Sequence, residues 1–168
     1  MDKNFSYAKL ADFGRALLHR PSLNEGLPMI SSYAKEVSGA ERCSIFIYNP
    51  SNQTLWTTLA DGSEQIIVHK DDGIVGSTLK EGKPILVNDP YHDERFLPTI
   101  DHKTGFVTQN IASIPIFNSS RQIIGVFQLL NKPDGFSKED AKNMIFFAHY
   151  ISGYLELAIL FGSQKGNQ

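Results

Sequence analysis

Two stretches of this chain each run out and return on themselves, and that constrains the fold more than any other feature. From Arg42 to Tyr48, Cys43, Ile45 and Ile47 alternate with Ser44, Phe46 and Tyr48. Asn49-Pro50-Ser51-Asn52 then turns the chain into Gln53–Leu59. A period of two on both sides of a turn cluster reads as an antiparallel hairpin. The pattern recurs at Ile111–Phe117 and Gln122–Leu130, joined by Asn118-Ser119-Ser120-Arg121. Sheets of this kind bury an apolar face only by packing helices or a second sheet on it.

Helices flank both hairpins. Leu10, Phe13 and Leu17 recur at three- and four-residue spacing in a short helix that stops before Pro21. Ser22 and Glu25 form a capping-box pattern ahead of an apolar stripe of Leu27, Ile30, Ala34 and Val37, and Gly39 ends that helix. Ser137, with Asp140 three residues on, caps a long helix reaching about Phe161, whose main stripe is Ala141, Met144, Ala148, Ile151, Leu155 and Ala158. Off that stripe lie Ile145, Phe146, Phe147, Tyr154, Leu157 and Phe161, more apolar surface than one sheet contact needs. A second helical partner is expected, from the N-terminal helix or another subunit. Between the hairpins, Asp61-Gly62 is a turn signal, Gln65–His69 a short strand, Ile74–Lys80 a brief helix between Gly73 and Gly82, and Pro84–Val87 a strand that its proline restricts to an edge or its first residue. Asn88–Gln109 is a long polar connection expected to lie over the sheet. The expected class is α+β, with a central antiparallel sheet and helices packed on it.

The 168 residues suit one domain. Sixteen Lys and Arg against eighteen Asp and Glu leave a net charge of −2, without the basic footprint of a nucleic-acid binder, so a small ligand or another protein is the expected partner. The single cysteine, Cys43, permits no internal disulfide and suits a reducing compartment. No apolar leader begins the chain and no run of about 18 apolar residues interrupts it, so a cytoplasmic location off the membrane is expected. There is no phosphate loop, nucleophile elbow, His-Glu-x-x-His or Cys-x-x-Cys. Tyr91-His92-Asp93-Glu94 with Asp101-His102 lacks a repeated ligand spacing and reads as a solvated loop, and Asp71-Asp72 suits the positive end of a short helix. No catalytic residue, metal site or cofactor is expected.

Asn131-Lys132, Phe136 and Asp140 span a strand end, a loop and the start of the last helix. Here the chain resembles the GAF domain family, in particular the cyclic-nucleotide-binding GAF domains of phosphodiesterases and adenylyl cyclases. The family signature is Asn-Lys, a gap, Phe, three residues and Asp-Glu; Ala141 stands where the final Glu would be. The resemblance extends from about Leu23 to Ala158, through Arg42-Cys43-Ser44-Ile45-Phe46, Asp72-Gly73-Ile74-Val75-Gly76, the Thr104–Ile111 segment and Ile124–Lys132. It implies a GAF/PAS-like sheet with the N- and C-terminal helices on one face and a lid with short helices on the other. The expected division is an N-terminal helix at 1–20 able to join two copies, the GAF domain at 21–162, and a flexible tail at 163–168.

The resemblance further implies a regulatory sensor, not an enzyme, that binds a small molecule, with cAMP or cGMP as best candidates. It places Ser44 and Asp61 at a purine edge, Ile74 and Val75 at a cyclic phosphate held by a helix N-terminus, and Asp101, Thr104 and Thr108 in the covering loop. Leu97 stands at a lid position that is Tyr in relatives, Gln128 at an acidic one, and Ala60 where an aromatic can stack on the base. Asn131, Lys132, Phe136 and Asp140 would hold the lid, with Lys132 bridging to Asp140. The resemblance also suggests a homodimer through the terminal helices and an output domain in a larger signalling protein. The alternative is a dimerisation or interaction module with an empty or vestigial pocket. The free methionine sulfoxide reductases resemble GAF domains but use several cysteines, and bilin attachment needs a pocket thiol; Cys43 is expected on the face opposite Ser44.

Overall fold

The alternating segments assemble into a six-stranded sheet in which every neighbouring pair is antiparallel. The computed structural model describes residues 6–57 and 65–165. In chain order these form α1 (Tyr7–Leu18), α2 (Leu23–Ser38), β1 (Arg42–Asn49), β2 (Thr54–Thr57), β3 (Ile66–His69), α3 (Gly73–Glu81), β4 (Ile85–Val87), a 3-10 turn at Pro90–His92, α4 (Thr99–Thr104), β5 (Ile111–Phe117), β6 (Ile123–Leu130) and α5 (Lys138–Lys165). The strand order is β3-β2-β1-β6-β5-β4, so the two predicted hairpins meet through the β1–β6 pair. The strand expected at Pro84–Val87 begins one residue later, at Ile85, with Pro84 just outside it, and takes an edge.

Strand alternation divides the sheet into two apolar faces. Cys43, Ile45 and Ile47 of β1, with Ala112, Ile114, Phe127 and Leu129 of β5 and β6, form one core with α1, α2 and α5. The opposite face carries Phe46 and Val126 against Val75 of α3, and Ile111 against Ile74. The α+β arrangement with terminal helices on one face and the lid on the other is therefore what forms.

Five local expectations change. Phe147 is no surplus residue: it is fully buried, its ring 5.6 Å from Phe127, 5.7 Å from Tyr33 and 5.9 Å from Phe13. It lies three residues from Met144 and four from Ile151, on the buried stripe, whereas Ala141 is only half-buried. The Ser22 hydroxyl bonds the Glu25 carboxylate at 3.0 Å and makes no side-chain cap, so the capping box closes only at Ser137, whose Oγ accepts from the Asp140 N–H. Gln53 lies in the turn at φ 59°, which starts β2 at Thr54; Thr58, Leu59 and the Asp61-Gly62 turn lie outside the described residues. The long connection folds a 3-10 turn and α4 within it. Finally, of the tail expected at 163–168, residues 163–165 continue α5, and 166–168 lie outside the described residues.

Two tyrosines of α5 fix the helical layer. Tyr150 Oη donates to the Leu10 carbonyl at 3.0 Å and Tyr154 Oη to the Arg20 and Ser22 carbonyls. Gly14 and Gly26 make room for these hydroxyls, which a Cβ at either position would strike. By length and composition α5 is apolar enough to cross a membrane, with an 18-residue window of mean hydropathy 1.6 inside Lys138–Gly162. Its Met144, Phe147, Ile151 and Leu155 are nevertheless sheet core.

Candidate functional site

A cavity of about 110 Å³ separates the second sheet face from the lid. Alternation sends Arg42, Ser44 and Phe46 of β1 to its floor, with Gln128 and Leu130 of β6 paired opposite Ser44 and Arg42. Gly73, Ile74 and Val75, at the start of α3, form one wall. Leu97, Ile100, Asp101, Thr104, Phe106 and Thr108 form the cover.

Backbone geometry explains the wall. Gly73 adopts φ 69°, which turns the chain into α3, and a Cβ on Gly76 would stand 2.6 Å from the Lys70 carbonyl oxygen. Asp72, at the N-cap, makes no side-chain cap bond, so the first-turn amides of α3 receive no cap from that residue. The Thr78 hydroxyl bridges the Ile74 carbonyl (2.8 Å) and the Ser113 hydroxyl (2.7 Å), which pins α3 to the sheet.

The cover is organised by a buried carboxylate. Asp101 accepts from the Thr108 N–H (2.7 Å), the Thr108 hydroxyl (2.8 Å) and the Tyr91 hydroxyl (2.6 Å). The bond to Asp101 also raises the Tyr91 phenol above its ordinary pKa. Leu97, the residue at the tyrosine position, is 44% exposed and reaches the cavity beside Gly73.

A polar hub fastens this cover to the rest of the molecule. Asn131, at φ 57°, accepts from the Gln109 N–H (2.7 Å) and donates to the Val107 carbonyl (2.9 Å) and the Glu41 carboxylate (3.1 Å). The side-chain amide of Asn110 closes a ring with the Lys132 backbone, and that of Asn88 does the same with Phe136. Lys132 Nζ pairs with Asp140. Burial disfavours the Asp140 charge, but the bonds from Lys132 and Ser137 outweigh it and hold the carboxyl below the usual carboxylate value. The ion pair is present, yet direct contact with the lid backbone is made by the asparagines.

Ser44, Ile74, Val75, Leu97, Asp101, Thr104, Thr108 and Gln128 thus line one cavity, while Asp61 and Ala60 lie outside the described residues. Arg42, Phe106 and Phe96 line it too, although sequence reasoning did not single them out; Arg42 was signalled only by sharing the strand parity of Ser44. Tyr91, Asn88 and Asn110 carried no comparable signal. The acidic loop does not converge: His92 pairs with Asp89 and Asp93 with Arg95, and among the described residues no group of three or more His, Cys, Asp or Glu comes together. Cys43 lies on the helix face, where burial pushes its thiol up to about 12.

A profile of the GAF domain family matches residues 22–155. The chain belongs to the GAF domain family. A GAF domain is a regulatory sensor domain, generally found within larger signalling proteins. Among its relatives is the "Probable 3',5'-cyclic phosphodiesterase pde-5" of Caenorhabditis elegans, 28% identical over 90% of this chain and 23% of that protein. The chain therefore spans about a quarter of the curated relative it matches. In three dimensions this GAF domain resembles the GAF domain of an Acinetobacter phosphoenolpyruvate-protein phosphotransferase, at a TM-score of 0.73 and 17% identity, covering 95% of this chain and 99% of that one. It also resembles the free methionine-R-sulfoxide reductase of Neisseria meningitidis, solved with its substrate, at 0.75 and 14% identity, covering 90% and 88%.

Proposed function

We propose that this GAF domain is the ligand-sensing unit of a larger cytoplasmic signalling protein, and that its cavity takes a cyclic nucleotide, cAMP or cGMP. The cavity carries this reading: a polar-edged floor facing a helix start that its N-cap residue Asp72 does not cap, all beneath a tethered lid. Backbone N–H groups at Ile74 and Val75 suit a cyclic phosphate, because a helix N-terminus favours an anion without needing a basic patch. Ser44 and Gln128, with Asp61 from the 58–64 segment, take the purine edge; Leu97, Asp101, Thr104 and Thr108 cover the ligand. The description of the C. elegans relative as a cyclic phosphodiesterase supports this ligand class.

With the lid down, about 110 Å³ is well short of the ~300–1,000 Å³ typical of sites for drug-sized ligands, so a nucleotide enters by displacing the lid. The lid hangs from Asn131 and Lys132, and Lys132 pairs with the first turn of α5, so lid displacement reaches the last helix through residues already bonded. Calorimetric titration with each nucleotide, alongside thermal melting, tests the reading. Ligand at 100 times its dissociation constant stabilises the fold by about 2.7 kcal/mol, or roughly 5–10 °C at this chain length. An unchanged melting curve at millimolar cAMP and cGMP refutes it.

One observation favours a second reading, dimerisation with an idle pocket. Phe146, Leu157, Leu160 and Phe161 of α5 stay exposed, at 47%, 56%, 56% and 60%. A homodimer through the terminal helices would cover them. Sedimentation then shows concentration-dependent dimers without ligand, and Phe161→Asp gives monomers; an unchanged sedimentation profile for that variant rejects the interface.

A further inference from the structure

An open sheet leaves two edge strands, and this chain guards only one of them. At one edge, β4 is three residues long and follows Pro84 directly, features that keep an edge from pairing further. At the other, β3 reads Ile-Ile-Val-His, with no proline, no Lys, Arg, Asp or Glu, and an unbroken register with β2. Among the described residues no strand pairs with its outer side.

Hydrogen-bond parity identifies the backbone groups on that side. The Lys70 N–H donates to the Gln53 carbonyl at 2.9 Å, which makes Gln53 and Lys70 a bonded pair. Stepping by two along the register, Val68 bonds Leu55 and Ile66 bonds Thr57, while Ile67 and His69 turn their N–H and C=O groups away from β2. The His69 carbonyl already accepts from the Asp72 N–H at 3.0 Å, so the outer side offers the Ile67 N–H and C=O and the His69 N–H. The Ile67 side chain stands opposite the half-buried Trp56 on the helix side of the sheet. There α2 packs on β1 and α5 on β5, and Ile67 is left 60% exposed, the one large apolar side chain so exposed in any described strand.

We propose that β3 pairs antiparallel with β3 of a second copy of this chain, about a twofold axis at Ile67, joining two sheets edge to edge. The strand is complementary to itself in that register. Ile67 meets its own mate and the two exchange N–H···O=C bonds; each His69 N–H meets the other copy's Gln65 carbonyl; Ile66 faces Val68, so no like charges stand opposite each other. On the helix side the two Ile67 side chains adjoin with a Trp56 on either flank, which takes them out of water. The pairing is isologous and closes at two copies. A contact one short strand wide lies below the ~1,200 Å² of stable interfaces, so the dimer is weak and reversible. It is separate from the exposed residues of α5.

Sedimentation equilibrium of the whole chain and of Phe161→Asp, from about 10 μM to about 1 mM, tests this, with hydrogen exchange read at Ile67 and His69 at both ends of the range. Association that persists in Phe161→Asp, with both amides exchanging more slowly at the higher concentration, is the expected result. Ile67→Pro removes the outward N–H at an edge position that makes no bond to β2, and Ile67→Lys sets two cations against each other at the axis. Melting curves establish that each variant folds, and each is expected to associate at least about tenfold more weakly than the parent chain. A chain that stays monomeric throughout the range, association abolished by Phe161→Asp, or a dimer that keeps its affinity in a folded Ile67→Pro or Ile67→Lys variant overturns the proposal.

Discussion

Replacing Asn131 tests whether the lid is held by side-chain amides or by the ion pair next to them. The Asn131 side chain makes three hydrogen bonds, to the Gln109 N–H, the Val107 carbonyl and the Glu41 carboxylate, from a residue at φ 57°. At about 1 kcal/mol each these total about 3 kcal/mol; with Val107 and Gln109 exposed, water recovers part of that and leaves about 2. Alanine additionally places a Cβ in the left-handed region, for roughly 1 kcal/mol more. Asn131→Ala should therefore lower stability by about 3 kcal/mol and Asn131→Gly by about 2, since glycine accepts that φ freely. Asn131→Asp keeps the acceptor for Gln109 but sets a carboxylate against Glu41, so its deficit shrinks as acid neutralises the pair. Urea denaturation at pH 7 and pH 4 measures all three, and hydrogen exchange at residues 107–110 reports lid loosening. Losses under about 0.5 kcal/mol, or Gly and Ala variants of equal stability, would refute this account of the hub.

Three further outcomes follow from the same geometry. Gly26→Ala improves helix propensity by roughly 1 kcal/mol yet drives a methyl group into the Tyr154 hydroxyl, so its melting temperature falls, and Tyr154→Phe in the same chain recovers part of the loss. The folded pKa of Asp140 is depressed, so its contribution is complete above the unfolded value of about 4 and is lost as pH falls through the folded one. Asp140→Asn should accordingly be less stable than wild type at pH 7 and nearly equal to it near pH 2, as acid titration with a fluorescence readout will show. Cys43, with its thiol near 12, should resist alkylation at pH 8 in the native protein and react only on unfolding; rapid native labelling would place it elsewhere.

Elements whose period survives in one dimension were legible from the sequence. Arg42–Tyr48 and Ile111–Phe117 read as strands because one parity packs on helices and the other faces the lid or cavity, and α2 ends at Gly39 because a left-handed φ of 74° suits glycine. Phe147 was misjudged although it lies in step with Met144 and Ile151; an apolar residue beside a stripe reads as surplus until three other rings are seen to close on it. The cavity residues came from family resemblance, and the fold gathers the described ones. What stayed hidden were Asn88 and Asn110, whose partners lie 48 and 22 residues away and are backbone groups. A loop asparagine has the same appearance in sequence whether it faces water or clamps a distant strand.

The strength of these clamps bears on how a cavity so small can serve a sensor. The Asn131 bonds to the exposed Val107 and Gln109 contribute about 1 kcal/mol together once solvent is counted, and the Arg42–Phe106 stack adds about 0.5–1 kcal/mol at a partly exposed site. Raising the lid while α3 stays pinned by Thr78 thus requires about 2 kcal/mol, which corresponds to an open fraction of about 3%. A ligand admitted only to the open form has its apparent affinity reduced by that same fraction, and recovers it only through contacts made once inside. The opposite face, with Phe147, Ile151 and Leu155 fully buried, is bound too tightly to yield at that energy. On the proposed reading, the sheet and α5 are the fixed frame and the lid is the part that moves. Among the described residues, Asn131 and Lys132 are bonded both to the lid and to that frame, and on the same reading they carry movement of the lid to α5.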